Sequence, residues 1–295
     1  MKYAFIAAER EKEAPQYTVT FMCRTLNVRR QGFYEWCDRG SSERQRRDET
    51  LTEKIVEIMD RHRHRIGTRR MRALLARQGE RVAHKRVHRL MRAAGLRCRH
   101  PRRRRATTTR GPEGTAPPDL VQRDFTAQQP DEKWVGDITY LDTEQGWAYL
   151  ATVVDCYSRK IVGWRLDTHL RTELVTGALQ DAIARRKPSR TIFHSDRGCQ
   201  YTSYTFRKTC TDHDIRPSVG ATGICFDNSV AESFFATLKK ELIHGYRWAT
   251  VGELRIALFQ FIEGYYNRHR LHSTIHYRTP EEKEHEFAEL TQAAA

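Results

Sequence analysis

The sequence predicts an α/β protein preceded by an all-α region: short basic helices in front, then a mixed five-stranded sheet flanked by helices. Two observations carry this. Through the first hundred positions apolar residues recur at helical spacing, whereas from Lys133 they gather into short strand-like runs bounded by tight turns. The charge divides in the same way. Residues 1–118 hold 30 Lys and Arg against 13 Asp and Glu, while the rest of the chain holds 22 against 24. A basic front and a near-neutral back imply a polyanionic partner gripped mainly by the front.

In order, the pattern predicts five segments. Residues 1–43 form a helical segment: Val19, Met22, Cys23 and Leu26 mark one apolar face and Phe33, Tyr34 and Trp36 a second, separated by Asn27-Val28. A small helix-turn-helix and a plain helical hairpin fit it almost equally. Residues 44–97 give a stronger signal. One helix carries Leu51, Ile55, Ile58 and Met59. A second runs from about Thr68 through Met71, Leu74 and Leu75 to Gly79. A third starts near Ala83, carries Val87, Leu90 and Met91, and stops at Gly95, a C-terminal glycine. The short turn between the last two is the layout of a helix-turn-helix, which would present Lys85, Arg86 and Arg89 to a DNA major groove. Residues 98–125 read as a basic Pro/Gly/Thr-rich linker, with Arg102, Arg103, Arg104 and Arg105 as an extended phosphate-contacting arm.

The fourth segment, 126–245, holds strands at Trp134–Leu141, Gly146–Cys156, Arg159–Leu166, Thr191–His194 and Ile215–Val219. Helices are expected at Arg171–Arg186 and Tyr204–His213, with another after Asp227 or Asn228 as N-cap, carrying Val230, Ala231, Phe234, Phe235 and Leu238 inward. The fifth, 246–295, is one long helix over Val251–Asn267 and a tail against the core.

Seven cysteines form no CxxC pair, which argues against a disulfide framework and a zinc knuckle and fits a reducing cytoplasm; His84 and His88 lack a Cys pair to complete a zinc set. No apolar run approaches membrane length.

Three acidic residues stand apart from the turn-capping ones. Asp137 lies mid-strand among Val135, Ile138 and Tyr140, where an unpaired charge is costly without a metal. Asp196 follows the fourth strand, and Glu232 stands on a helix anchored by an apolar stripe. Two carboxylates on strands and one on a helix suggest a divalent-metal site.

The wording around them resembles a known family. Trp134-Val135-Gly136-Asp137-Ile138-Thr139-Tyr140, His194-Ser195-Asp196-Arg197-Gly198-Cys199-Gln200-Tyr201-Thr202-Ser203, Asp227-Asn228-Ser229-Val230-Ala231-Glu232-Ser233-Phe234-Phe235 and Tyr266-Asn267-Arg268-His269-Arg270-Leu271-His272 are similar to motifs of OrfB-type transposases of the IS-three insertion-sequence family. These belong with retroviral integrases to the DDE superfamily, whose fold is ribonuclease H-like. Asp196 and Glu232 have 35 residues between them, the superfamily's spacing. The helix start Ile66-Gly67-Thr68-Arg69-Arg70 also matches, with Ile66 where the family usually has Tyr.

The resemblance implies a DNA transposase that cleaves and rejoins strands with two Mg²⁺ ions per site, Mn²⁺ substituting. Two such ions, about 3.5–4 Å apart, activate the attacking oxygen and stabilise the leaving one. Asp137 would bridge both ions, Asp196 hold one and Glu232 the other. Water would attack in the first step and a DNA 3′-hydroxyl in the joining step. Lys239, two turns beyond Glu232, would contact the DNA backbone, with Arg69, Arg70, Arg270 and His272 as further DNA-contacting candidates. The expected partners are double-stranded DNA (terminal repeats and target), further copies of the chain on paired DNA ends, and an upstream-frame OrfA-type protein or fusion. The expected place is the bacterial cytoplasm, associated with the nucleoid, and no membrane is involved. Two other functions remain open at this point: a nuclease that cuts without joining, and a DNA-binding regulator with a silent core.

Overall fold

The computed structural model describes residues 1–12, 16–38, 42–98, 117–220 and 228–294. It divides into two units, Met1–Cys98 and the remainder.

In the first unit, α1 (Lys2–Arg10), α2 (Val19–Thr25) and α3 (Arg30–Asp38) enclose Ile6, Met22, Cys23 and Phe33. The apolar pattern of the sequence predicts only the latter two helices. Ile6, fully buried, adds the third, and Thr18 caps α2 by accepting from the Phe21 N–H. A second set comes next: α4 (Glu43–Arg61), α5 (Thr68–Arg77) and α6 (His84–Ala93). Ser42 and Gln45 form a reciprocal capping box that starts α4. The three helices share a core of Leu51, Ile55, Met59, Met71, Leu75, Val87, Leu90 and Met91. Past α6, Gly95 turns left-handed (φ +67°) while the Leu96 N–H returns to the Met91 carbonyl at 2.9 Å, a glycine-dependent helix stop.

The second unit is built on β1 (Lys133–Thr143), β2 (Gly146–Asp155), β3 (Ile161–Asp167), β4 (Thr191–Ser195) and β5 (Ile215–Val219), in the order β3-β2-β1-β4-β5. β1, β2 and β3 are an antiparallel meander, whereas β4 runs parallel to β1 and β5 parallel to β4. This is the mixed sheet expected of a ribonuclease H-like fold. Side chains alternate between two cores. Trp134, Ala151, Val153 and Phe193 pack with α7 (Thr172–Arg186) and α9 (Tyr204–Asp212). Val135, Leu141, Leu150 and Val154 pack with α10 (Ser229–Leu238) and α11 (Val251–Phe259). A four-residue helix, α8 (Cys199–Thr202), lies between β4 and α9.

The long helix expected at Val251–Asn267 keeps its course but not its period. After α11 it widens into a π-type stretch, Gln260–Tyr266, and ends as α12 (Asn267–His269). An extra residue per turn re-aims the side chains beyond it. Asn267 thereby reaches the edge strand, exchanging two 3.0 Å hydrogen bonds with the main chain of Ile161. The tail is a helix, α13 (Pro280–Ala293), begun by a capping box of Thr279 and Glu282 with Pro280 in its first turn. Glu284 on α13 joins it to the sheet through Lys160 (2.8 Å) and Arg186 (2.6 Å). Residues 117–125 of the segment expected as linker also rest on the core: Val121 is buried, and the Leu120 N–H donates to the Ser218 hydroxyl at 2.9 Å.

Candidate active site

The parallel pairing of β1 with β4 ends at Val135 opposite His194. Asp137 and Asp196 each lie two residues beyond that pair, so one register brings both carboxylates to the same end of the sheet. Asp137 is half-buried and Asp196, just past β4, is exposed. Each has one oxygen held by a nearby main-chain N–H: Asp137 Oδ1 accepts from Ile138 at 2.7 Å, and Asp196 Oδ1 from Gly198 at 3.0 Å. Glu232 stands exposed on the first turn of α10, opposite the stripe of Val230, Ala231, Phe234, Phe235 and Leu238 that fixes the helix.

Electrostatics couples the three. Burial, then the Asp196 charge and, less strongly, the Glu232 charge push the Asp137 carboxyl up to about 8, while the Ile138 N–H and the Lys239 ammonium pull the other way. Burial also raises Asp196 and Glu232, and it lowers Lys239, which the Asp137 charge partly restores. Yet among the described residues no three His, Cys, Asp or Glu side chains stand close enough to hold one ion. Like charges with a single half-buried lysine for compensation resist convergence. The donor set nonetheless fits a hard divalent cation: it is all oxygen, carries several negative charges and lacks enough positive charge nearby.

Two contacts position Asp137. Asn228 takes the N-cap position of α10, as expected, but its side chain makes no capping bond. Instead its Nδ2 donates to the Gly136 carbonyl at 3.1 Å, tying the start of the Glu232 helix to the strand residue beside Asp137. The alternative cap, Asp227, lies outside the described residues. On the opposite face Gly136 leaves no room for a side chain. A Cβ there would overlap the Phe193 ring and come within 3.3 Å of the Tyr201 ring. Sequence reasoning assigns neither role. Gly136 and Tyr201 lie inside the family-like motifs without an evident function, and a glycine in a strand interior is the signal that marks such a close approach.

Comparison with known proteins gives the chain's family. Two models described as "Integrase core domain" match residues 127–225 and 213–280, and one described as "HTH-like domain" matches 45–105. Over 287 residues the chain is 38% identical to "Transposase InsF for insertion sequence IS3A" of Escherichia coli K12, covering 96% of this chain and 98% of that one. The chain belongs to the IS3 family of transposases. It is also 36% identical to an "Insertion element IS600 uncharacterized 31 kDa protein" of Shigella sonnei, over 90% of this chain and all of the other. Among solved structures, a simian T-cell lymphotropic virus intasome aligns with 72% of the chain at 20% identity and a TM-score of 0.45.

Within the HTH-like region of this IS3-family chain, Arg69 and Lys85 are exposed and Arg70 is half-buried. Arg86 is half-buried and Arg89 is exposed. Both are held by Asp48 on α4, at 2.7 and 2.6 Å. Arg102, Arg103, Arg104 and Arg105 lie outside the described residues. In the core Lys239 is half-buried at the end of α10. Arg270 is enclosed. Its side chain is 11% exposed and its guanidinium is committed to Glu241, 3% exposed, at 3.1 Å and to the Thr237 hydroxyl at 3.2 Å. A cation enclosed with its counter-ion directs most of its charge at that partner. His272 is half-buried, edge-on to Tyr266 and in contact with Arg270. Trp134 and the Phe234–Phe235 pair are buried, as their sequence pattern implied, and Asp155 takes the turn-capping role through Ser158.

Proposed function

We propose that the protein is the DDE transposase of an insertion sequence, cleaving DNA at the element's ends and joining them to a target, with Asp137, Asp196 and Glu232 as its catalytic carboxylates. The observation that carries this is the shared register of Asp137 and Asp196 beyond the last β1–β4 pair, with Glu232 electrostatically coupled to Asp137. The three carboxylates would hold divalent metal, two Mg²⁺ ions with Mn²⁺ as substitute, which supplies activation of the attacking oxygen and stabilisation of the leaving one. Asp137, anchored through Ile138 and Gly136, fixes the centre, while Glu232 approaches on a helix set by its own apolar face. Lys239 meets the phosphate beside the reacting strand, and Arg69, Arg70 and Lys85 meet the duplex through the helical unit, with Arg86 and Arg89 once released from Asp48. Arg102–Arg105 add sequence-independent phosphate contacts. Assembly of several copies on paired DNA ends, cooperation with an upstream-frame partner, and action in the cytoplasm accompany this reading.

The test separates binding from chemistry. Asp196→Asn is expected to abolish metal-dependent cleavage while its affinity for the element's end sequence, read by gel shift, stays within about twofold of wild type, because phosphate and base contacts set affinity. Loss of both together would refute this division of labour.

A further inference from the structure

Ahead of the HTH-like region, α2 and α3 form another pair of helices that the function above does not use. Four residues, Leu26–Arg29, join them, the length of a helix-turn-helix connection. Hydrogen bonds close that turn. Asn27 is left-handed (φ +51°), its N–H returns to the Arg24 carbonyl at 3.2 Å, and the Val28 N–H returns to the Cys23 carbonyl at 2.9 Å. Leu26 and Val28 pack on the small core of Ile6, Met22, Cys23 and Phe33, so the turn itself fixes α3 against α2. α1 braces α3 from behind. A Cβ on Gly32 would stand 2.6 Å from the Tyr3 hydroxyl, and the Tyr3 ring lies 6.1 Å from Phe33 and 6.0 Å from Trp36. The opposite face of α3 carries Arg30, Gln31 and Tyr34, all exposed, with Arg29 exposed at its head.

Helices favour acids near their N-terminus and bases near their C-terminus. α3 does the reverse: Arg29 and Arg30 stand at its start and Glu35 and Asp38 in its second half, with no acid in the first turn and no base in the last. That layout costs the helix stability and gathers positive charge at the helix end that attracts phosphate. Among the described residues Arg24, Arg29 and Arg30 have no acidic partner, and Arg30 reaches the Thr20 hydroxyl at 3.5 Å. Resting on the DNA-dependent function above, we propose that α2 and α3 are a second helix-turn-helix, with α3 in the major groove of the element's end. An α-helix with its side chains is about 10–12 Å across and the groove is about 12 Å wide. Arg30 and Gln31 read base edges from the first turn of α3, Tyr34 follows one turn on, and Arg24 and Arg29 hold flanking phosphates. Arginine pairs its fork with guanine and glutamine its amide with adenine. In the free protein the Gln31 amide donates to Glu35 at 3.2 Å, a bond it exchanges for the base. Each end of the element is thereby read at two places, by α3 and by the HTH-like region.

The test uses the full chain. Wild type, the double variants Gln31→Ala/Tyr34→Ala and Arg29→Ala/Arg30→Ala, and Lys85→Ala are compared by gel shift and hydroxyl-radical footprinting, beside melting curves. The probes are DNA carrying the sequence that flanks the reading frame and a random duplex. Gln31→Ala/Tyr34→Ala is expected to melt with wild type, because both side chains are exposed. It should lose roughly tenfold in preference for the end DNA and lose protection over one of two tracts. Arg29→Ala/Arg30→Ala should bind both DNAs more weakly, with a salt slope smaller by about one. Preference, footprint and salt slope all unchanged, with Lys85→Ala weakened, would overturn the role of α3 alone. A lowered melting temperature or a smaller oligomer would assign this face to a protein contact and also overturn it. Wild type that holds the end DNA no tighter than random duplex would overturn the end recognition of the proposed function, and this inference with it.

Discussion

Replacing Asp137 by Asn removes a carboxyl that in the folded chain keeps its proton up to about pH 8, against an ordinary value of 3.8. Between those values the folded state binds a proton that the unfolded chain has released, so stability falls as pH rises. The contribution is fully present below pH 3.8 and is lost as pH climbs through about 8. Each pH interval of one costs about 1.4 kcal/mol, so going from pH 5 to pH 8 costs up to ~4 kcal/mol at this one side chain. Asparagine has nothing to titrate. For a unit of this size ~4 kcal/mol is roughly 10 °C in melting temperature. In calorimetry with a chelator present, the melting temperature of Asp137→Asn minus that of wild type should therefore grow by roughly 10 °C between pH 5 and pH 8. Asp155, which burial raises to about 6, is common to both proteins and cancels. Adding Mg²⁺ at pH 8 should stabilise wild type and leave the variant behind. A melting difference that stays constant with pH would refute the idea that burial and neighbouring carboxylates strain Asp137.

Other consequences attach to particular contacts. Asp48→Asn releases Arg86 and Arg89, so binding to random duplex should tighten several-fold, and its salt dependence should steepen by about one to two phosphate contacts; an unchanged salt slope would take both arginines out of the interface. Arg270→Ala leaves Glu241 buried without its cation and should cost about 3–5 kcal/mol in denaturant melts, with DNA affinity of the folded protein unchanged; a selective loss of DNA affinity would restore Arg270 to the interface. Gly136→Ala places a methyl group in the Phe193 ring and should cost about 1–3 kcal/mol, together with cleavage activity, since Asp137 must shift; wild-type stability would disprove the close approach. Neutralising Arg102–Arg105 should weaken binding to all sequences and flatten its salt dependence, and an unaltered slope would exclude the arm from DNA.

The sheet is legible in the sequence because each strand is bounded by turns or helices and because β1, β2 and β3 follow one another directly in the chain. The carboxylates are legible by their wording, and Asp137 also by its cost mid-strand. The features that escape are decided by partners distant in the chain. Arg270 looks like an exposed cation until the π-type stretch and the turn after α10 bring Glu241 against it. Asn228 looks like a helix cap, and only the strand beside it offers the Gly136 carbonyl that claims its amide. Arg86 and Arg89 look free because Asp48 lies a whole helix away. The last helix differs from these, since Thr279-Pro280-Glu281-Glu282 is a complete helix-start signal and α13 needs no distant partner to be predicted.

That Asp137, Asp196 and Glu232 together run DNA cleavage and joining can be tested in one reaction. The full chain is incubated with Mg²⁺ or Mn²⁺ and DNA carrying the sequences that flank its reading frame, with its upstream-frame partner present, and both cut and joined products are followed. Wild type runs beside Asp137→Ala, Asp196→Ala and Glu232→Gln. Metal-dependent joined products are expected from wild type and none from any of the three variants. Joining that survives loss of one of these carboxylates, or wild-type cutting that never proceeds to joining, would contradict their shared role.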